Sequence, residues 1–589
     1  MSISFPLGAI RETAHRGDDD LLSAGLGLAG LRASPAPFAD PAEPTPAELR
    51  RRAIRTAWTG IANLGPLGGY GTVYGTVPKV DGREYQAFAH IPGDVQPHRV
   101  MAQIPEAFDA QARCLIVTAS SGSRGIYGAI SFAGAWGLAR GCAVAYTDKG
   151  AGSGYFDTVT HSGVALDGTR AEIGAAELEF ALAGRYGDAG IAIKHAHSTD
   201  NPEAHWGDHL LHATQFGLAM LDRALPAQAP FTPQNTKIIA VGLSNGGAAA
   251  LHAAGIDEAA WLDGVVAVEP NILAPQAGGS HARPLYDYGT EAALLAPCAL
   301  LDTRFDDVRG ALAKLPGNNI ATWAMRCATL HEVGMLSAGD MQAQAAEALA
   351  RLHAAGWEDA ALATAASTTA YDMWRAFGAT YASAYTRSPV GAMPGGFRFT
   401  ALDLDGRPRS PMADERAAWW SDAGGIPPGN GVFLVEGQPG NGGDPTWRGL
   451  VTLRELWTGT GEAAQRLHES VRATQAQLPR AELPIFLVHG AADGLIPAAF
   501  SSDAYLAWLR ANGRDAAYWR VPHAQHFDAF LSWPGFGDRY VPMLPYAYAA
   551  LDKMYAHVVH GKPLNAGTTP DAQPRGAGAL EATHLALML

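Results

Sequence analysis

The stretch Ile238–Gly255, "IIAVGLSNGGAAALHAAG", decides how the rest of the chain is read. An apolar run from Ile238 to Val241 leads into Gly242-Leu243-Ser244-Asn245-Gly246, and small residues of helical character follow at once. This is the pattern of a buried strand turning sharply into a helix with one serine hydroxyl raised at the turn. Serine is a weak nucleophile at its own pKa and needs a base to take its proton. G-x-S-x-G arises easily in a chain with 68 glycines, so the strand-turn-helix context, more than the pentapeptide, makes Ser244 the candidate nucleophile.

In open α/β sheets, reacting groups gather beyond the carboxyl ends of the strands. Downstream, "IFLVHGAADGLIP" ends a strand-like run and sets Asp493 in the loop beyond it. "YWRVPHAQHFDAF" repeats the arrangement with His523 and His526. The order serine, acid, histidine is that of the α/β-hydrolases. His526, deeper in its loop, is the preferred base, with His523 the alternative; His489 reads as a loop-backbone partner. Asp493 would fix the imidazole tautomer and stabilise the imidazolium without taking the proton.

Acyl transfer also needs donors for a developing oxyanion. The N–H after the nucleophile, that of Asn245, is the expected first donor. The second is expected just after an earlier strand, where "CLIVTASSGSRGIYG" offers the N–H of Ser120 or Ser121.

Apolar runs such as "CLIVTAS", "CAVAYTD" and "LDGVVAVEP" alternate with helical stretches, which predicts an α/β class with a parallel sheet covered on both faces. "YGTVYG" and "YQAFAHIP" also read as short β-type runs. Between about 300 and 480 the pattern changes to helices such as "MQAQAAEALARLHAAG", broken by Gly/Pro-rich loops. The expected organisation is an N-terminal extension (1–50), a first part of the α/β core (51–300), a mainly helical lid (301–480), and a second part of the core with a tail (481–589). A lid entering and leaving near the sheet's carboxyl edge would cap Ser244. It would then shape the pockets on either side of Ser244 and could supply a cation for an anionic substrate group, with Arg375, Arg387 and Arg398 as candidates.

Composition narrows the partners. With 43 basic against 57 acidic residues and a net charge of −14, the chain has no basic run able to track a phosphate backbone, so nucleic acid is excluded as an expected partner. No uninterrupted apolar run approaches the ~20 residues of a membrane span. The first twenty residues lack a basic flank before an apolar core and do not read as a signal peptide. The compartment stays open: secreted or periplasmic for a chain from which a signal was removed, cytoplasmic otherwise. Of four cysteines, Cys114 and Cys142 open strand-like runs and read as inert core thiols, while Cys298 and Cys327 could pair in an exported protein.

"KHAHSTDNPEAHWGDHLLHATQ" concentrates His195, His197, His205, His209 and His212, but no acid or cysteine at ligand spacing accompanies them, so pocket-lining or helix-surface roles are expected and no metal. "DKGAGSGYF" has neither phosphate-loop spacing, and no cofactor is expected.

Together, "TASSGSRGIYGAISFAGAWGLARGCAVAYTDKGAGSGYFD", "VGLSNGGAAALHAAG" and "FLVHGAADGLIPAAFSSDAY…VPHAQHFDAF" resemble the D-3-hydroxybutyrate oligomer (dimer) hydrolases over about Ile54 to Lys562. The resemblance implies an α/β-hydrolase that cleaves short 3-hydroxybutyrate esters to monomers during poly(3-hydroxybutyrate) breakdown, with Ser244 as nucleophile. A more distant likeness to tannases and feruloyl esterases implies the alternative of an aryl-ester hydrolase, whose phenolic ring Trp374, Trp419 and Trp420 could line. A non-catalytic binding protein on the same fold is a third reading.

Overall fold

A computed structural model describes residues 3–184, 190–426, 428–429, 431–437 and 444–587. Its main sheet has nine strands: β1 (Arg11–His15), β2 (Gly82–Ala89), β3 (His98–Pro105), β4 (Cys114–Ala119), β5 (Ala143–Thr147), β6 (Lys237–Leu243), β7 (Gly264–Val268), β8 (Ile485–Gly490) and β9 (Ala517–Val521). They lie in the order β1-β2-β3-β5-β4-β6-β7-β8-β9. The pairs β1/β2, β2/β3 and β3/β5 are antiparallel, and all pairs from β5 to β9 are parallel. This is the α/β-hydrolase sheet, with Ser244 directly after β6.

The continuous apolar runs follow from helices on both faces. Ile238 and Ala240 of β6 pack with helix α1 (Trp206–Ala224) and helix α2 (Asn245–Ile256). Ile239 and Val241, one residue out of phase, face the opposite core with Leu551 and Met554 of the helix Leu544–His560. Every second residue thus serves a different layer, which leaves no polar position to break the run. The expected strand at Tyr70–Gly75 is instead a set of turns: Gly69, Gly71 and Gly75 all have positive φ, and only an isolated bridge joins Tyr70 to Tyr74.

The chain leaves the sheet after β7 and returns at β8. Between them, α3 (Leu285–Ala299), α4 (Trp323–Glu332) and α5 (Met373–Thr386) share a separate core containing Trp323, Trp357, Trp374 and Leu453. This helical layer takes in α3, which begins ahead of residue 301. Cys298 of α3 and Cys327 of α4 are disulfide-bonded, and Cys114 and Cys142 are buried free thiols. A second, smaller sheet joins this layer to the excursion after β5, where Phe399 pairs with Ile191. Among the described residues no helix is long and apolar enough to cross a membrane.

Candidate active site

Ser244 sits between β6 and α2 at φ 60°, ψ −125°, a strained conformation for a residue with a Cβ. Its N–H donates to Val268 O at 2.9 Å, tying the turn to β7. The flanking glycines follow from crowding. A Cβ on Gly242 would stand 2.1 Å from the carbonyl of Gly246, and one on Gly246 would stand 2.4 Å from Ala119 O at the end of β4. The close approach of α2 to two strand ends therefore excludes any side chain there.

The loops after β8 and β9 bring the other two groups to Ser244. His526 Nε2 lies 2.9 Å from Ser244 Oγ, and His526 Nδ1 lies 2.7 Å from Asp493 Oδ2. All three residues are buried. Asp493 Oδ1 accepts the backbone N–H of Leu495 (2.9 Å) and Ile496 (2.8 Å), so the carboxylate is held on both oxygens. Burial pushes its pKa up, but the facing charge of His526 and hydrogen bonds from His489 and His526 outweigh that and hold it well below the usual carboxylate range. His489 is fixed to Ser502 Oγ and Ile496 O, both at 2.7 Å, beside Asp493. His523 contributes its carbonyl to Val541 N–H and takes a positive φ, outside the serine's contacts.

A second carboxyl adjoins this group. Glu269, directly after β7, is buried with Oε2 3.7 Å from His526 Nδ1, and neither carboxyl oxygen has a hydrogen-bond partner among the described residues. Burial, then the charges of Asp493 and Asp528, raise its pKa well above the ordinary value. The two neighbouring acids are thus driven apart, the pKa of Asp493 lowered and that of Glu269 raised.

At the oxyanion side, Asn245 opens α2, so its N–H has no partner within the helix. Its side chain is locked, Nδ2 donating to Tyr381 OH (3.1 Å) and Oδ1 accepting from Asn271 (3.0 Å). Ser120 is corrected as a donor: its N–H is spent on Thr147 O at 2.9 Å, continuing the β4/β5 pairing. Ser121 N–H, one residue on, makes no hydrogen bond among the described residues. Buried Lys149 braces this loop by donating to Ser120 Oγ (3.0 Å) and Gly122 O. Burial lowers its pKa to about 7.

One set of residues escaped the sequence reading. Ser123 Oγ is 2.6 Å from His195 Nδ1, and His195 Nε2 is 2.5 Å from Glu203 Oε1, all buried. Separated by 72 positions, Ser123 and His195 carry no local signal of their meeting. The remaining histidines stay apart from Ser244: His98 stacks on His212 and meets His209 edge-on, with burial lowering the pKa of each. His197 bonds backbone at Ile193 and His205 bonds Asp208.

Ser244 and Asn245 open into a cavity of about 310 Å³ whose walls come from both parts of the molecule. The core gives Gly122, Ser123, Arg124, Phe527 and Phe530; the helical segment gives Leu285, Tyr371, Met373, Phe377 and Tyr381. Trp374, Trp419 and Trp420 are not among the lining residues. Trp374 packs on Trp357, Trp419 on Tyr155, and Trp420 on Tyr127. Nor are the three candidate arginines. Arg375 is paired with Asp372 and Glu436, Arg387 donates to Tyr385 O and Ser470 Oγ, and Arg398 is exposed on a strand of the smaller sheet.

Among solved structures the chain is similar to feruloyl esterase B from Aspergillus oryzae, at 12% identity and TM-score 0.35 over 99% of this chain and 92% of that one. It is similar to tannin acyl hydrolase from Aspergillus niger at 12% identity and TM-score 0.35, over 83% and 80%. Curated relatives include the D-(-)-3-hydroxybutyrate oligomer hydrolases of Burkholderia thailandensis (38% identical) and Paracidovorax citrulli (36% identical), each matched over 97% of this chain and 89% of the relative. The family model described as 3HB-oligomer hydrolase (3HBOH) matches residues 4–588. The chain belongs to the 3HB-oligomer hydrolase family.

Proposed function

We propose that the chain hydrolyses the ester bonds of D-3-hydroxybutyrate dimers and short oligomers to monomers, by serine catalysis without a cofactor. The observation that carries this reading is the unbroken contact from Ser244 through His526 to Asp493, with Ser244 opening into a cavity. Ser244 Oγ attacks the ester carbonyl as His526 Nε2 takes its proton. The tetrahedral oxyanion is held by the N–H groups of Asn245 and Ser121, each worth about 3 kcal/mol in such a site. His526 then protonates the leaving alcohol, and water, deprotonated by the same imidazole, releases the acid from Ser244. Asp493, ionised, keeps the proton on Nδ1 throughout.

The cavity volume lies at the low end of the roughly 300–1,000 Å³ typical of small-molecule sites. That favours short soluble oligomers over a polymer chain. Ser244→Ala should abolish turnover of the 3-hydroxybutyrate dimer and covalent labelling by an alkyl phosphonate, with the thermal melt unchanged. Near wild-type turnover in that variant would overturn the assignment. The aromatic lining from Tyr371, Phe377, Phe527, Phe530 and Trp533 favours a second reading, hydrolysis of aryl esters of the feruloyl or tannic type. A higher kcat/KM for methyl ferulate than for the 3-hydroxybutyrate dimer would establish it over the first.

A further inference from the structure

Among the described residues lining the cavity of Ser244, the one charged side chain is Arg124. It belongs to the loop after β4, four residues beyond Ser120. Its guanidinium makes a single hydrogen bond, Nη2 to Gly60 O at 3.0 Å, and no carboxylate lies within salt-bridge distance among the described residues. Arg124 is half-buried; several other arginines drawn into the protein are paired with carboxylates, Arg50 with Asp19 and Glu84, Arg99 with Glu179, Arg326 with Asp444, Arg416 with Asp157, while Arg170, without one, has its guanidinium bonded to Tyr155 O and to Ser162. Arg124 has instead a ring, Phe527, 5.6 Å from its guanidinium carbon, and the bare backbone of Gly60, where a Cβ would stand 2.1 Å from Nη1. Burial without a counter-charge pulls its pKa down to about 10, still leaving it cationic at neutral pH.

A cation drawn out of water with no partner is costly, and the cost is recovered when an anion arrives. A guanidinium suits a carboxylate in particular, which it can take through two parallel N–H bonds. The hydroxyl end of a 3-hydroxybutyrate oligomer is neutral and the other end is a carboxylate. Resting on the function proposed above, we infer that Arg124 is the anchor for the substrate's free carboxylate. Because anchor and nucleophile share one small cavity, the anchor fixes the register of attack at the ester bonds nearest the carboxyl end, so that short acids are released from that end.

The test compares the free-acid 3-hydroxybutyrate dimer with its methyl ester on wild type, Arg124→Met and Arg124→Lys, with thermal melts to establish folding. The wild type should prefer the free acid. In Arg124→Met that preference, taken as the ratio of KM values, should fall at least tenfold, and Arg124→Lys should recover part of it. Equal KM changes on both substrates in folded Arg124→Met would overturn the anchor. If the wild type does not cleave the dimer, the proposed function falls, and the anchor is decided separately with p-nitrophenyl acetate and butyrate. Competitive inhibition by butyrate that weakens at least tenfold in Arg124→Met supports the anchor; inhibition of equal strength in both proteins overturns it. Should Arg124→Met fail to fold, Arg124→Lys and Arg124→Gln are read by the same ratios.

Discussion

Replacing Asp493 by Asn should disable the imidazole by reversing its tautomer, and the structure dictates which way the amide must turn. One oxygen of Asp493 accepts two backbone N–H groups, from Leu495 and Ile496. In the variant, only the amide oxygen can occupy that position, because an NH₂ group there would face two donors. The NH₂ is therefore aimed at His526 Nδ1, which must become the acceptor. The ring proton moves to Nε2 and points at Ser244 Oγ, so the base is already occupied by a proton. A wrong-tautomer lesion of this kind costs about 10⁴ in kcat, or about 5.5 kcal/mol. Asp493→Ala should be milder. It removes the wrong-way donor and leaves Glu269 with Oε2 3.7 Å from Nδ1, close enough to become the ring's partner after a small shift. Steady-state kcat on the dimer is the assay, with Asp493→Ala/Glu269→Gln as the double variant that removes the substitute. If Asp493→Asn keeps kcat within tenfold of wild type, the tautomer reasoning is refuted. If Asp493→Ala is as slow as Asp493→Asn, Glu269 is no substitute.

Gly246→Ala places a methyl 2.4 Å from Ala119 O, so α2 must withdraw from the end of β4 and separate the N–H groups of Asn245 and Ser121. We expect kcat to fall about 10²-fold, as for the loss of one oxyanion donor, with a stability loss of about 1–3 kcal/mol by denaturant titration. Opening the Cys298–Cys327 bond, which spans 29 residues, should cost about 3–4 kcal/mol on chain-entropy grounds, checked by comparing melts of Cys298→Ser/Cys327→Ser and wild type. Lys149 has a folded pKa of about 7 against an ordinary value of 10.5. Between those pH values the unfolded chain holds more protons, so this group makes stability rise with pH from about 7 to 10.5, by at most about 5 kcal/mol. Urea titrations at pH 7, 8 and 9 should show that slope in wild type and a flatter one in Lys149→Met.

The sheet was legible where burial on both faces left unbroken apolar runs, as at "KIIAVGL" and "IFLVHG". β3, "HRVMAQIP", escaped because His98, Arg99 and Gln103 interrupt it. Two of them find partners inside the fold, Arg99 in Glu179 and Gln103 in Glu84, which a run of letters cannot reveal. The cap of the helix Pro46–Thr59 is local by contrast, Thr45 Oγ1 accepting the N–H of Glu48 only three residues away. The same contrast governs the site. Ser244, Asp493 and His526 each follow a strand that announces itself. Glu269 looks like any acid after a strand until the bend after β7 turns it toward His526, and Arg124, unlike Arg375, lines the cavity of Ser244 and has no carboxylate partner among the described residues. Neither the presence nor the absence of a distant counter-ion is written locally. Ser120 and Ser121 were equivalent on the page and were separated by which of two adjacent N–H groups the sheet consumes.

The small sheet that joins the excursion after β5 to the helical segment bears on how molecules enter and leave. Phe399 is paired by backbone hydrogen bonds to Ile191, Arg416 is ion-paired with buried Asp157, and Ser383 Oγ donates to Ala196 O at 2.6 Å. A segment fastened along its flank in this way is masonry more than a door, because swinging it away would strip a β-pairing and a buried ion pair together. Traffic must then pass through a doorway of set width. Such an enzyme gains nothing from an oil–water boundary, and its rate should rise smoothly with dissolved substrate, without a jump when the substrate begins to aggregate.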